Sequence, residues 1–107
     1  MAEVETTGDN FIRLEEKNAS MIPSIAGTYL LADNSRQVIY IGMSMNLNKS
    51  ILDVLECFSS CLKKAEFFKV SINPDPGKGA INLFIQHKEE NGGAFPRCNK
   101  IDISAGR

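Results

Sequence analysis

Two apolar segments flank one polar loop, and a change of hydrophobic period follows them. Thr28 to Asp33 and Gln37 to Ile41 are rich in β-branched and aromatic residues and read as strands. Asp33-Asn34-Ser35-Arg36 between them is a run of turn formers, so the pair is predicted to fold back as a β-hairpin. Alternation sets Tyr29 and Leu31 on one face, and Val38 and Tyr40 on one face of the partner strand. From Asn46 to about Lys64 the period becomes helical, with Leu47, Ile51, Val54, Leu55, Phe58 and Leu62 in one stripe. Ser44 or Asn46 can cap its start, and Lys63-Lys64 suits its negative C-terminal end. The same spacing puts Ser50, Cys57 and Cys61 on one flank of the stripe.

Phe68, Val70 and Ile72 alternate and predict a third strand. Asn73-Pro74-Asp75-Pro76-Gly77 then breaks the chain. Ala80, Ile81, Phe84, Ile85 and Lys88 recur at helical spacing to about Glu90, where Gly92-Gly93 ends the helix. Ile101-Asp102-Ile103 reads as a last short strand or helical turn. The order β-β-α-β-α predicts an α+β domain, a three-stranded antiparallel sheet flanked by helices, because both helix stripes need an apolar sheet face to cover.

A chain of 107 residues has room for one such domain, predicted over 11–103. Residues 1–10 are small, polar and acidic and predict a flexible leader, and 104–107 a frayed tail. Phe11, Ile12 and Leu14 could dock that leader onto the body. Residues 1–33 carry two basic against six acidic side chains, a net of −4, and the remainder carries ten against seven, a net of +3. A basic body permits contact with nucleic acid without demanding it, since dedicated binders are more basic. Three cysteines cannot all pair within one chain, and no secretory signal or membrane-spanning run is present. Reduced thiols in the cytoplasm, with no membrane association, are the expectation.

The hairpin carries two short motifs, Gly27-Thr28-Tyr29 and Tyr40-Ile41-Gly42, with Asn46-Leu47 opening the helix behind them. In that order and spacing, and with Pro96 and Asn99 after the second helix, the sequence resembles the GIY-YIG nuclease domain over residues 20–101. In active members the resemblance implies metal-dependent hydrolysis of phosphodiester bonds. A motif tyrosine helps activate water, a glutamate on the second helix holds one divalent cation, typically Mg²⁺, and an arginine on the first helix supports the transition state. A hard cation needs an oxygen anion, and developing phosphoryl charge needs preorganised cations.

Carried over by position, the resemblance implies Tyr29, Tyr40 and Asn99 as catalytic positions, with Gly42 and Asn46 also retained. The charged positions are replaced: the basic residue after Tyr-Ile-Gly is Met43, the helix arginine is Ser50, and the glutamate is Phe84. Lys49 stands about 100° round the helix from Ser50. The expectation is therefore a catalytically degenerate domain kept as a binding or interaction module for a protein partner or nucleic acid, with no cofactor. Met43 and Phe84 would dry the old site and suit it to an apolar partner. The alternative is an endonuclease acting on DNA with Mg²⁺, alone or completed by a partner, with Glu89 or His87 as substitute ligands.

Asn46, Lys49, Lys63, Lys64 and Lys69 are the candidate nucleic-acid contacts, although charged helix ends are usually solvated faces. Cys57 and Cys61 with His87 and Cys98 could form a Cys₃His zinc set, but the two-residue gap of zinc knuckles is absent, and no metal site is expected. His87 reads as a boundary residue of the second helix. Gly77-Lys78-Gly79 lacks the spacing of a phosphate loop and reads as a turn before a helix.

Overall fold

The computed structural model describes residues 11–57 and 59–100. The expectations for the leader, for Phe58, for Ile101-Asp102-Ile103 and for the tail lie outside the described residues. The hairpin forms as β2 (Gly27–Ala32) and β3 (Val38–Ser44), paired antiparallel. Asp33 organises its turn, with Oδ1 accepting from the backbone N–H of Ser35 and of Gln37 at 3.0 Å each. β4 (Phe67–Ile72) pairs antiparallel with the other side of β2, so β2 lies between β3 and β4.

The sheet has four strands rather than three. Ile12–Arg13 forms β1, antiparallel to β4, and the strand order is β1-β4-β2-β3. Two residues are too few for alternation to register in a sequence, yet they cover part of an otherwise open strand edge. Ile12 and Leu14 dock on the body through main-chain pairing and apolar contact, and the Phe11 ring meets the Lys69 ammonium. A single helical turn, α1 (Glu16–Ala19), connects β1 to the hairpin.

Helices cover both sheet faces. α2 (Leu47–Leu55) and α1 pack on the face that carries Leu31, Ile39 and Phe68, and Leu47 and Ile51 are fully buried there. α3 (Pro76–Glu90) covers the other face, where Ala80 and Phe84 pack on Ile41. Each large apolar side chain removed from water in this way contributes about 1.5–3 kcal/mol. A register shift between Leu31 and Ala32 puts a bulge at Ile39. Val38 consequently joins the Phe84 cluster, while Ile39 joins the α2 cluster, so Val38 and Tyr40 do not share a face as alternation alone implies.

The first long helix is shorter than its hydrophobic stripe. α2 stops at Leu55, and the described residues that follow along the stripe form one 3-10 turn, at Leu62–Lys64. No glycine or proline lies between Leu47 and Asn73 to enforce this. Ser59 and Ser60 are modest helix formers, and Cys61 is bonded to Cys98, with Cα atoms 5.7 Å apart. That bond draws Cys61 to the far end of the chain, so Ser50, Cys57 and Cys61 do not share a helix flank. It also corrects the expectation of three reduced thiols, since only Cys57 is free. The chain-entropy estimate for a disulfide closing a loop of this length is about 4 kcal/mol. The break at Asn73–Gly77 is the start of α3: Asp75 caps it, accepting from Lys78 N–H, and Pro76 occupies its first turn.

Arg97 ties the closing loop to the hairpin turn, with Nη2 at 2.9 Å from Asp33 Oδ2. Burial alone would raise the Asp33 carboxyl, but hydrogen bonds from Gln37, Arg97 and Ser35 outweigh it and hold the group below the ordinary carboxylate range. A carboxyl whose folded pKa is depressed stabilises the fold above its unfolded pKa, near 3.9, and loses that contribution as pH falls through the folded value. Asp33→Asn is therefore expected to melt several degrees below the parent at pH 7, with the gap closing below about pH 4. Melting curves of both proteins from pH 7 to pH 2 check this, and a constant gap would refute the assignment.

Candidate active site

The two motif tyrosines meet on the α2 face of the sheet. Their ring centroids are 6.0 Å apart, at an interplanar angle of 36°. Tyr29 lies directly opposite Gly42 in the strand register, and a Cβ at position 42 would stand 2.6 Å from the Tyr29 hydroxyl oxygen. The second motif glycine is thus the seat of the first motif tyrosine. Gly27 has a parallel role: a Cβ there would run into the Ser71 carbonyl oxygen of β4 and stand 2.6 Å from Leu47 Cδ1, so its absence lets both β4 and the start of α2 close onto β2. Tyr29 is 9% exposed, and burial, with Tyr40 next to it, pushes its phenol pKa well above the ordinary value. Tyr29 therefore remains protonated through the physiological range.

Around this pair the retained polar residues hold the backbone. Asn46 caps α2, its Oδ1 accepting from Lys49 N–H at 3.1 Å. Ser44 Oγ accepts from Asn46 N–H at 2.8 Å, and Ser50 Oγ donates to Ser44 Oγ at 2.6 Å. The position read as the family's helix arginine is thus a hydroxyl engaged with its own strand–helix turn. Asn99 uses both ends of its amide on one residue: Oδ1 accepts from Ile41 N–H at 2.9 Å, and Nδ2 donates to Ile41 C=O at 3.0 Å. It acts as a one-residue extension of the sheet along the outer edge of β3. Lys49 pairs with Asp53 at 3.1 Å on the exposed side of α2.

Met43 and Phe84 do not line the tyrosine pair, contrary to the expectation that they dry it. Met43 is opposite Thr28 and 53% exposed, while Phe84 is fully buried among Ile41, Ala80, Leu83 and Phe95 on the α3 face. Alternation along β3 separates Met43 from Gly42, and Phe84 stands on α3, which covers the opposite sheet face from Tyr40. The candidate lysines come from three different elements. Lys49 is on α2, Lys63 and Lys64 are on the 3-10 turn, and Lys69 is on β4, with its Nζ 4.6 Å from the Phe11 ring centroid. Lys69 lines a groove of about 410 Å³ between β4 and α3, together with Thr28, Leu30, Asn82 and His87. Burial pushes the His87 imidazole below its ordinary pKa, against the opposing pull of Glu90.

The donor set does not fit a hard cation. Among the described residues no three His, Cys, Asp or Glu side chains converge, and an apolar ring stands where the resemblance puts the ligand carboxylate. Cys61 is consumed by its bond to Cys98, which removes the zinc alternative. Also among the described residues, no helix is long and apolar enough to cross a membrane.

No protein-family model matches this sequence, and no curated protein matches it. Solved structures do. The GIY-YIG N-terminal endonuclease domain of UvrC from Thermotoga maritima, as a tyrosine-to-phenylalanine mutant bound to its catalytic divalent cation, superposes with a TM-score of 0.57. That match has 17% identity and covers 79% of this chain and 93% of that one. The same domain bound to magnesium gives a TM-score of 0.55 at 18% identity, covering 78% and 92%. The chain therefore has a GIY-YIG-like fold, an antiparallel sheet flanked by helices.

Tyr29, Tyr40 and Gly42, which the two short motifs single out, meet on one sheet face, and Asn46 caps the helix that packs there. Sequence reasoning missed the Cys61–Cys98 bond and the Arg97–Asp33 pair, for which no local spacing gives a signal. If Gly42 is the seat of the Tyr29 ring, Gly42→Ala is expected to cost about 1–3 kcal/mol through overpacking. Most of that cost should vanish in a Tyr29→Leu background. Urea unfolding of the two single variants and the double variant checks it, and additive effects would show that the ring and the glycine are not coupled.

Proposed function

We propose that this chain is a catalytically degenerate GIY-YIG-like domain that works as a binding or interaction module. The observation that carries the reading is Phe84. The position read as the metal-binding glutamate is fully buried in an apolar cluster on the sheet face opposite the tyrosines. An ionised carboxylate there would be desolvated with no partner. The position read as arginine holds Ser50, hydrogen-bonded to Ser44. Loss of single preorganised donors for developing charge costs about 3–4 kcal/mol of barrier in other enzymes. With both positions replaced, efficient hydrolysis has no support from the residues present.

The tyrosine pair favours a second reading, an endonuclease that cleaves DNA with Mg²⁺ once a partner supplies the missing acid and cation. The UvrC domain that shares the fold is an endonuclease domain bound to a catalytic divalent cation. Against this reading stands the buried, protonated Tyr29 hydroxyl. The net charge of −1 also argues against a strong nucleic-acid surface in the isolated chain. The groove between β4 and α3, floored by Thr28, Leu30 and Ile41, is the natural place for a bound partner. The cytoplasm remains the proposed location. A disulfide there is of the kind that forms transiently in redox sensing.

The test is a cleavage assay on supercoiled, linear and branched DNA and on RNA, with Mg²⁺ and with Mn²⁺, beside Tyr29→Phe. The expected result is no turnover by either protein. Turnover by the parent that Tyr29→Phe abolishes would replace this reading with the nuclease. Phe84→Glu is expected to lower stability by about 3–5 kcal/mol, the range for emptying a buried aromatic site, without conferring Mg²⁺-dependent cleavage. Urea unfolding and the same assay check both parts.

A further inference from the structure

We propose that Cys61–Cys98 is a thiol–disulfide exchange site whose reduction by a cellular dithiol unlatches the closing loop from β3. The bond joins the segment after α2 to the loop that seals the edge of the hairpin. Within that loop, Cys98 N–H donates to Ile39 C=O at 2.8 Å, and the next residue, Asn99, holds both main-chain groups of Ile41. The disulfide therefore anchors the two residues that bind the outer edge of β3, the strand that carries Tyr40 and Gly42. Pro96 is fully buried and Arg97 reaches Asp33, so the latch is one short segment held at several points.

The two sulfurs differ in access. Cys98 is 7% exposed and belongs to the core, whereas Cys61 is only partly buried. The chemistry follows from that asymmetry. A thiolate of the dithiol attacks Cys61 Sγ, the Cys61–Cys98 bond breaks, and Cys98 leaves as a thiolate that takes up a proton. The second thiol of the reductant then attacks the mixed disulfide, releasing Cys61 as a thiol and closing the reductant's own disulfide. Two electrons pass from the dithiol to the protein.

The sequence around Cys61 supplies the second state. The apolar stripe that forms α2 runs on through Leu62, and nothing between Leu47 and Asn73 forbids a helix, yet the chain leaves the helix at Leu55 to bring Cys61 to Cys98. Reduction removes that tether, and the helical preference of the stripe then competes with the latched geometry. Cys57, the free thiol, is not required.

The experiment is native-state hydrogen exchange at the Ile41 amide, read by NMR, before and after treatment with a thioredoxin-class dithiol. Alkylation and mass measurement report the thiol count in parallel. The proposal expects one alkylated cysteine before treatment and three after it, without denaturant. It also expects the Ile41 amide to exchange at least roughly tenfold faster, while amides of the β2–β4 ladder at Leu30 and Lys69 keep their rates. Cys98→Ser should exchange at the fast rate with or without dithiol, and Cys57→Ser should respond as the parent does. Three free thiols in air-oxidised protein would overturn the proposal, as would a bond that yields only in denaturant. An unchanged Ile41 rate, or a rise across the whole sheet, would make the disulfide a plain staple and overturn it equally.

Discussion

The missing Cβ of Gly42 is the constraint on which the hairpin and its site depend. Tyr29 is opposite Gly42 across the strand pair, and its ring occupies the space a side chain would take. That placement brings the ring beside Tyr40 and beneath the helix that follows β3. Gly27 extends the same logic to the other end of β2, where Leu47 fits against bare backbone. Two short motifs that resemble catalytic signatures are in this chain first of all packing instructions. Glycine weakens a strand through entropy and lost contacts, and a cross-strand aromatic restores the contacts.

The polar residues retained around the tyrosines have structural occupations. Asn46 begins a helix, Ser44 and Ser50 close its first turn, and Asn99 completes the hydrogen bonding of an edge strand. A buried or half-buried backbone group needs such a partner whatever the chemistry of the site, because leaving it unmade costs about 1–3 kcal/mol. These residues therefore have work in the fold that is independent of any chemistry at the site. Charged groups are different. Arginine and glutamate at a cleft contribute little to a fold, and positions 50 and 84 of this chain hold a hydroxyl bonded to Ser44 and a ring buried in an apolar cluster.

Much of the fold was legible. Period 2 followed by period 3.6 identified the hairpin, α2, β4 and α3 in order, and Asp75-Pro76 and Gly92-Gly93 bracket α3 as helix chemistry dictates. Three features were not legible, each for a non-local reason. β1 is only two residues long and exists because β4 offers it an edge. The bulge at Ile39, which sends Val38 to the opposite face, arises from register between strands. The end of α2 is decided by a bond to a residue 37 positions away. The site was legible in the same measure. The tyrosine pair was found, but the expectation that Met43 and Phe84 line it failed, since strand alternation and helix placement put them on the other face.

The sequence by itself determined which segments are strands and which are helices, and that positions 43, 50 and 84 carry the uncharged side chains Met43, Ser50 and Phe84. Those are properties of hydrophobic period, turn chemistry and residue type, all read within a few positions along the chain. Only the tertiary structure decided where the surviving residues point. It turned Asn99 toward Ile41, Lys49 toward Asp53, Phe84 into an apolar cluster and Cys61 onto Cys98. Each of these depends on which distant surface an element covers, and burial and hydrogen-bond satisfaction over the whole molecule settle that together.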